Sequence, residues 1–146
     1  MNALNQVVTF VAAGQHFAIP IASVQDAFRP HVISRVPKAP IQVAGVLNLR
    51  GRIVTAISLT DCLGLPREAS PKCPIAVVIA HKRDLYCLLV QEMGEVLRLE
   101  DAWREESPLN LDPKWRSVSA CVYRLKDKLL ILLDVDRLLD FRRLAA

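Results

Sequence analysis

The stretch that decides the fold runs Gly45-Val-Leu-Asn-Leu-Arg-Gly-Arg-Ile-Val-Thr-Ala-Ile-Ser-Leu-Thr-Asp-Cys-Leu63. Apolar side chains recur on both sides of Arg50-Gly51, a pair at which a chain can reverse direction, so the stretch predicts a β-hairpin with a charged tip. The hydroxyl of Thr60 is predicted to cap one helical turn, which Gly64 and Pro66 then end. Two strands, a tight turn and a helical turn are thus expected in one short segment.

The same pattern returns near the C-terminus. At an offset of 76 residues the matched pairs include Val46 with Val122, Leu49 with Leu125 and Arg50 with Lys126. The segments before these hairpins match at an offset of 69, and the pairs include Val8 with Val77, Phe17 with Tyr86 and Phe28 with Leu97. Two matches in the same order predict an internal duplication within one domain of residues 1–146, with approximate halves 7–66 and 75–140.

Composition indicates one compact body. With 146 residues, 52% of them hydrophobic, the chain can bury a core without covalent staples. The cysteines form no C-x-x-C pair, and Cys87 and Cys121 lie in apolar strand-like runs, where we expect them to be reduced and buried. The sequence contains no signal peptide pattern and no uncharged apolar run of about 18 residues. We therefore expect a cytoplasmic protein without membrane insertion.

Strand patterns dominate the remaining sequence. Gln6 to Ala12 and Phe17 to Ile21 predict one hairpin, and Ile75 to Ala80 and Tyr86 to Val90 predict another. A short amphipathic turn is expected after each, and Ser23-Val-Gln-Asp26 has the form of a capping box. Ten or so strands with short connections are typical of an all-β fold, which the duplication would divide into two small five-stranded barrels.

With Asn48-Leu-Arg-Gly-Arg52 at its tip, the hairpin resembles the most recognisable stretch of the CheW family, the adaptors that couple chemoreceptors to the histidine kinase CheA. The likeness runs from about Val7 to Leu139. It implies two SH3-like five-stranded β-barrel subdomains that share an apolar interface, with short helices. It also implies a non-catalytic adaptor in a bacterial chemosensory array, monomeric in isolation and without a cofactor. The implied partners are the regulatory domain of a CheA-type kinase and the cytoplasmic tip of a chemoreceptor.

Two departures identify the chain as a divergent member of the family it resembles. Thr55-Ala-Ile-Ser-Leu59 stands where the family usually has Pro-Val-Val-Asp-Leu, so Ser58 replaces a common aspartate. Gln91 replaces a second acidic residue in Leu89-Val-Gln-Glu-Met93. The receptor served by this chain is therefore not necessarily the commonest type.

The resemblance also implies a site. Arg50 would form a partly buried ion pair with Asp26, in the short turn after the second strand. The receptor groove between the barrels would contain Val24, Asp26, Phe28, Asn48, Arg50 and Val96. Each choice has a structural alternative: Asp26 could only cap a helical turn, Arg50 could only be a solvated tip, and Phe28 could belong to the core.

Other site types have weaker support. His16, His31 and His81 lack the spacing of metal ligands. Asp134 and Asp136 could suggest a paired-carboxylate site, but Asp136 is interpreted as the cap of a final helix, Arg137 to Arg143.

Two further functions stay open. The net charge of +4 suggests a small-barrel nucleic-acid-binding protein, although aromatic residues make up only 5% of the chain and the charges are dispersed. An enzyme with Cys62 or Cys73 as nucleophile would need a base that the sequence does not reveal. We therefore expect a protein that is not an enzyme.

Overall fold

The structure is a computed structural model that describes residues 6–12, 14–65, 74–105 and 113–140. The described residues are mostly β-strand, which confirms the predicted all-β class. The strands are β1 Gln6–Ala12, β2 Gln15–Pro20, β3 Val24–Phe28, β4 Val43–Leu49, β5 Arg52–Ser58, β6 Ile75–His81, β7 Asp84–Val90, β8 Glu92–Arg98, β9 Arg104–Glu105, β10 Ser119–Arg124 and β11 Leu129–Leu133. The helices are α1 Leu59–Cys62, α2 Pro113–Val118 and α3 Val135–Leu138, with 3-10 turns at Ile21–Ser23 and Asp101–Trp103.

The strands form two sheets, and each sheet takes strands from both halves of the chain. Sheet A has the order β8-β1-β2-β11-β10-β9, and sheet B has the order β3-β6-β7-β5-β4. Parallel pairing of β2 with β11, and of β7 with β5, joins the halves in each sheet. A division of the chain between residues 66 and 75 therefore does not separate the sheets.

The two sheets repeat each other in register. At the offsets of 69 and 76, β3-β6-β7-β5-β4 corresponds strand for strand to β8-β1-β2-β11-β10. The parallel pairs also correspond: Phe17 with Ile131 in sheet A, and Tyr86 with Thr55 in sheet B. A bulge interrupts the antiparallel hairpin at the same place in each sheet, between Ser119 and Cys121 and between Val43 and Gly45. The duplication itself stays a prediction, but the offsets give a direct way to compare equivalent positions.

Both faces of the central strands are apolar because the molecule has three core clusters. The largest, the shared cluster, lies between the sheets and includes Phe10, Phe17, Ile57, Ile79, Leu88, Ile131, Leu133 and Leu138. A second cluster lies within sheet B around Leu47, Val54 and Val78, and a third within sheet A around Val7, Tyr123 and Leu130. The SH3-like subdomains thus meet across an apolar interface, as expected. Cys87 and Cys121 are free and buried, as their apolar runs predict.

Two predicted turns are strands. Ser23-Val-Gln-Asp26 does not form a capping box, because the chain becomes extended at Val24 and pairs with β6 as an edge strand. The equivalent segment, β8, pairs with β1 at the edge of sheet A. Polar residues face solvent from both strands, so their sequences lack the apolar alternation that marks the inner strands.

Two predicted caps are also wrong by a few residues. Ser58 rather than Thr60 caps α1, and its hydroxyl accepts from the amide of Asp61. Asp134 rather than Asp136 caps α3, which ends at Leu138. In both cases the capping residue is extended and directly precedes the helical turn. The position of the cap therefore depends on where the preceding strand ends. Pro66 and residues 141–143 lie outside the described part of the chain.

Candidate functional site

The tip of the β4–β5 hairpin is a two-residue turn. Arg50 and Gly51 both have positive φ, 51° and 86°, which is the arrangement of a type I′ turn and matches the twist of the strands. The side-chain oxygen of Asn48 accepts from the Gly51 amide at 2.8 Å and fixes the turn. Because glycine adopts positive φ without strain, Gly51 lets the chain reverse while Arg50 points outward.

The structure brings Arg50 and Asp26 together. Arg50 Nη2 donates to Asp26 Oδ2 at 3.1 Å, and Asp26 Oδ1 accepts from the Ala27 amide at 2.8 Å. Asp26 lies on β3 and Arg50 follows β4, the two opposite edges of sheet B, so this contact links the edges of the curved sheet. The carboxylate thus holds a polar tip against an edge strand.

The pair is more exposed than predicted. The Arg50 side chain is 83% exposed and that of Asp26 is 45% exposed, so the expectation of a partly buried pair is wrong for the arginine. The reason is the turn itself, which projects Arg50 beyond the ends of both strands. A pair with this exposure contributes about 0 to 1 kcal/mol to stability. Its main physical effect is to orient the guanidinium at the surface.

The other predicted site residues divide between the two sheets. Val24 packs against the shared cluster, and Phe28 packs against the cluster within sheet B. Val96 lies on β8 in sheet A, 52% exposed and opposite Val8. Five of the predicted residues therefore belong to sheet B, and Val96 stands apart on an edge strand of the other sheet.

A groove runs beside the hairpin tip. This tip groove has a volume of about 580 Å³ and is lined by Phe28, Arg29, Pro30, His31, Val32, Ser34, Val46, Leu47, Asn48 and Ile53. Val32 and Ile53 are 71% and 68% exposed, and because both line this groove they give it exposed apolar surface. Neither residue is among those that the sequence predicts for the site. Ile53 could have been found from the hairpin register, since it pairs with polar Asn48 on the outward face.

Two of the described cysteines, Cys62 and Cys87, are unsuited to nucleophilic chemistry. Burial, and to a lesser extent the charge of Asp61, raises the pKa of Cys62 to about 12. Burial likewise raises the pKa of Cys87 to about 11. A thiol with such a pKa carries almost no thiolate at neutral pH. Cys73, the other candidate nucleophile, lies outside the described residues.

Two further charged contacts lie away from the hairpin tip of sheet B. His81 Nδ1 lies 3.2 Å from the Asp136 carboxylate, and this contact joins the end of β6 to α3. Arg124 donates to both carboxylate oxygens of Glu105 and lowers the pKa of that carboxyl. Within the described ranges, no group of three or more His, Cys, Asp and Glu side chains is placed to hold a metal ion. None of the helices in those ranges is long and apolar enough to cross a membrane.

Comparison with known proteins gives one consistent result. A family description, CheW-like domain, matches residues 6–143. The chemotaxis protein CheW of Helicobacter pylori is 27% identical over 134 residues, which cover 92% of this chain and 81% of that protein. The chemotaxis protein CheW of Thermotoga maritima is 26% identical over 136 residues, which cover 92% and 87%. The crystal structure of the scaffolding protein TtCheW from Thermoanaerobacter tengcongensis superposes on this structure with a TM-score of 0.81 at 21% sequence identity. The superposition covers 93% of this chain and 92% of TtCheW, so the two proteins have the same fold.

Proposed function

Since the chain belongs to the family of CheW-like domains, we propose that it is a non-catalytic adaptor that couples chemoreceptors to a CheA-type histidine kinase in a bacterial chemosensory array. The general role of chemotaxis scaffold follows from the family match, which spans nearly the whole chain. The particular partners and the surfaces that bind them are the proposed part.

The hairpin tip and the tip groove are the proposed receptor surface. The single observation that carries this assignment is the Arg50–Asp26 contact of 3.1 Å, which holds a charged tip beside an exposed apolar groove. Val32 and Ile53 supply apolar area there, while Arg50 and Asn48 supply polar groups that can fix orientation. A surface of this composition suits an amphipathic helical partner, which presents apolar and polar groups together.

Coupling requires no chemistry in this proposal. The two sheets share one apolar cluster, so a partner bound to one sheet and a partner bound to the other are held in a fixed relative position. Each contact can be modest in area, because binding in an array is multivalent. The adaptor is accordingly a monomer in isolation, acts in the cytoplasm and needs no cofactor. In this proposal the fold serves to keep the two binding surfaces in a fixed relative position and does not form a catalytic centre.

The nucleic-acid alternative gains nothing from the structure or the relatives. The family and the two relatives point to chemotaxis. Stacking of successive bases requires several exposed aromatic side chains, whereas the aromatic residues that line the tip groove are Phe28, which packs against the cluster within sheet B, and His31.

Co-elution tests the proposed function. The full chain, the cognate kinase regulatory domain and a cognate receptor cytoplasmic fragment are mixed and separated by size exclusion. We expect a ternary complex in which each pair also associates weakly. If the chain binds neither partner in pairwise titrations at high micromolar concentration, the adaptor assignment is wrong.

A further inference from the structure

The helical turns that follow the two hairpins have the same backbone. Ser58 caps α1 and Asp134 caps α3, and each side chain accepts from the amide three residues later at 3.3 Å. The amide of each cap residue donates in turn to an equivalent carbonyl, Ser58 to Gln42 at 2.9 Å and Asp134 to Val118 at 2.8 Å. The offset of 76 therefore allows side chains around α1 and α3 to be compared position by position.

In sheet A the chain fills the space beside α3 with its own cation. Arg137 Nη1 donates to the Ser119 carbonyl at 3.2 Å, and Arg137 Nε lies 3.7 Å from the Asp134 carboxylate. Helix α2, which contacts α3, adds Trp115, whose ring meets Phe17 edge to face with centroids 5.5 Å apart. The guanidinium thus occupies the space beside α3, and the ring of Trp115 packs against the shared cluster.

In sheet B the equivalent space is open. Asp61 stands at the position of Arg137, and residues 37–42, which lie at the offset of α2, form turns instead of a helix. The result is a cleft of about 580 Å³, the α1 cleft, whose lining includes Val43, Ser58 and Asp61. Among the described residues, the Asp61 carboxylate has no hydrogen-bond or ion-pair partner. The Asp61 carboxylate thus lines a cleft that no described side chain of this protein fills.

The rim of the α1 cleft is apolar and exposed. Ile41 is 64% exposed and Val36 is 42% exposed, and both line the cleft. A carboxylate with apolar side chains around it suits an arginine, whose methylene stem packs on apolar surface while its guanidinium pairs with the acid. Val43, the equivalent of Ser119, places a backbone carbonyl where Arg137 finds its acceptor in sheet A.

We propose that the α1 cleft binds an arginine side chain that a partner protein presents between apolar residues. The guanidinium pairs with Asp61 and donates to the Val43 carbonyl, and the flanking residues cover Ile41. Arg35 also lines the cleft, but no ion pair joins it to Asp61 in the described part of the chain. In sheet A the equivalent carbonyl, that of Ser119, accepts from a cation, Arg137. The proposal is independent of the adaptor function and of the tip groove.

A peptide titration tests the proposal. The blocked peptide acetyl-Leu-Arg-Leu-amide is added to the ¹⁵N-labelled full chain, and amide shifts are followed by NMR. We expect saturable shifts at Val43, Ser58 and Asp61. The citrulline peptide, which is neutral and of equal shape, should bind at least ~10-fold more weakly because the charge-assisted contact is lost. The Asp61→Asn variant should bind the arginine peptide more weakly by a similar factor. The Arg35→Gln variant should bind this peptide at least as tightly as the unaltered chain does.

Five results would overturn the proposal. The first is an absence of shifts around the α1 cleft, and the second is equal affinity for the arginine and citrulline peptides. The third is tight binding of acetyl-Leu-Glu-Leu-amide that Arg35→Gln abolishes, which would indicate an acidic occupant. The fourth is equal affinity for free arginine, which would indicate a small-molecule site. The double variant Ser58→Asp with Asp61→Arg copies sheet A and should fold but lose peptide binding; retained binding would also contradict the proposal.

Discussion

The two hairpins share a strand register, but their tips differ in backbone conformation and in charged contacts, because both turn residues of sheet B have positive φ and neither turn residue of sheet A does. In sheet B, Arg50 at the tip bonds Asp26 on the opposite edge strand. In sheet A, Arg124 near the tip bonds Glu105 on β9, a short strand that extends the β10 edge. Because the strand register is the same in both sheets while the charged contacts differ, we infer that the apolar clusters determine the fold and that the charged contacts on its surface do not. One scaffold can therefore present two unlike surfaces.

The largest expected change in stability comes from a substitution at the β-bulge of sheet B, where Gly45 stands; its equivalent in the bulge of sheet A is Cys121. A Cβ at Gly45 would lie 2.3 Å from the Ser34 carbonyl oxygen, and Ser34 exchanges two backbone hydrogen bonds of 2.8 Å with Val46. We expect Gly45→Ala to lower the free energy of unfolding by about 4 kcal/mol, because the backbone must separate and these bonds are lost. Urea denaturation measures the effect.

Cys121→Ala is the matched control for this substitution. The Cys121 side chain already fits within sheet A, so its truncation should cost only about 1 kcal/mol. If both alanine variants lower the free energy of unfolding by the same amount, the close approach of Ser34 to Gly45 does not make the sheet B bulge more sensitive than the sheet A bulge.

Part of this comparison could be predicted from the sequence. The alternation around Arg50-Gly51 predicted the hairpin, and the offsets predicted its second copy. The exchange of strands between halves could not be predicted, because pairing β2 with β11 is a long-range choice among apolar strands of similar pattern. Edge strand β3 was missed because Gln25 and Asp26 break the alternation.

The candidate site was predicted less completely. The Arg50–Asp26 contact came from the family resemblance and not from spacing. Its exposure, and the tip groove at Val32 and Ile53, depend on how far the turn projects. The α1 cleft became visible only when Asp61 and Arg137 could be compared in three dimensions.

The next effect concerns Trp115, which has no aromatic equivalent in sheet B. Its indole Nε1 donates to the Leu63 carbonyl at 3.0 Å, and its ring contacts Phe17. We expect Trp115→Ala to cost about 3 kcal/mol, since an aromatic contact and a hydrogen bond are lost together. Trp115→Phe should cost about 1 kcal/mol if it keeps the ring contact. Circular dichroism in denaturant measures both, and equal losses would show that the hydrogen bond dominates.

A smaller effect is expected for the tip contact. Arg50→Ala should change the free energy of unfolding by less than about 1 kcal/mol, because the pair is largely exposed and screened by water. The change should shrink further in 1 M salt. A loss of several kcal/mol in thermal denaturation would mean that the pair is buried in solution.

The smallest effect concerns the Arg124–Glu105 contact in sheet A. The hydrogen bond from Arg124 lowers the pKa of Glu105 below its ordinary 4.5. A carboxyl with a lowered pKa in the folded state stabilises the fold above its ordinary pKa, and this contribution is lost as the pH falls through the lowered value. Arg124→Gln should therefore raise the pKa of Glu105 towards its ordinary value. An NMR pH titration of the Glu105 side chain measures this, and an unchanged pKa would exclude the contact.

The most direct test of the account compares receptor and kinase binding at the hairpin tip. Asp26→Arg and Arg50→Ala, and the charge-exchanged double variant Asp26→Arg with Arg50→Asp, are titrated separately against the receptor fragment and the kinase regulatory domain. We predict that all three variants stay folded, that receptor binding falls by ~10-fold or more because an oriented charged contact is lost, and that kinase binding changes little. The contrary result, weakened kinase binding with unchanged receptor binding, would contradict the assignment of the receptor surface to the tip of sheet B.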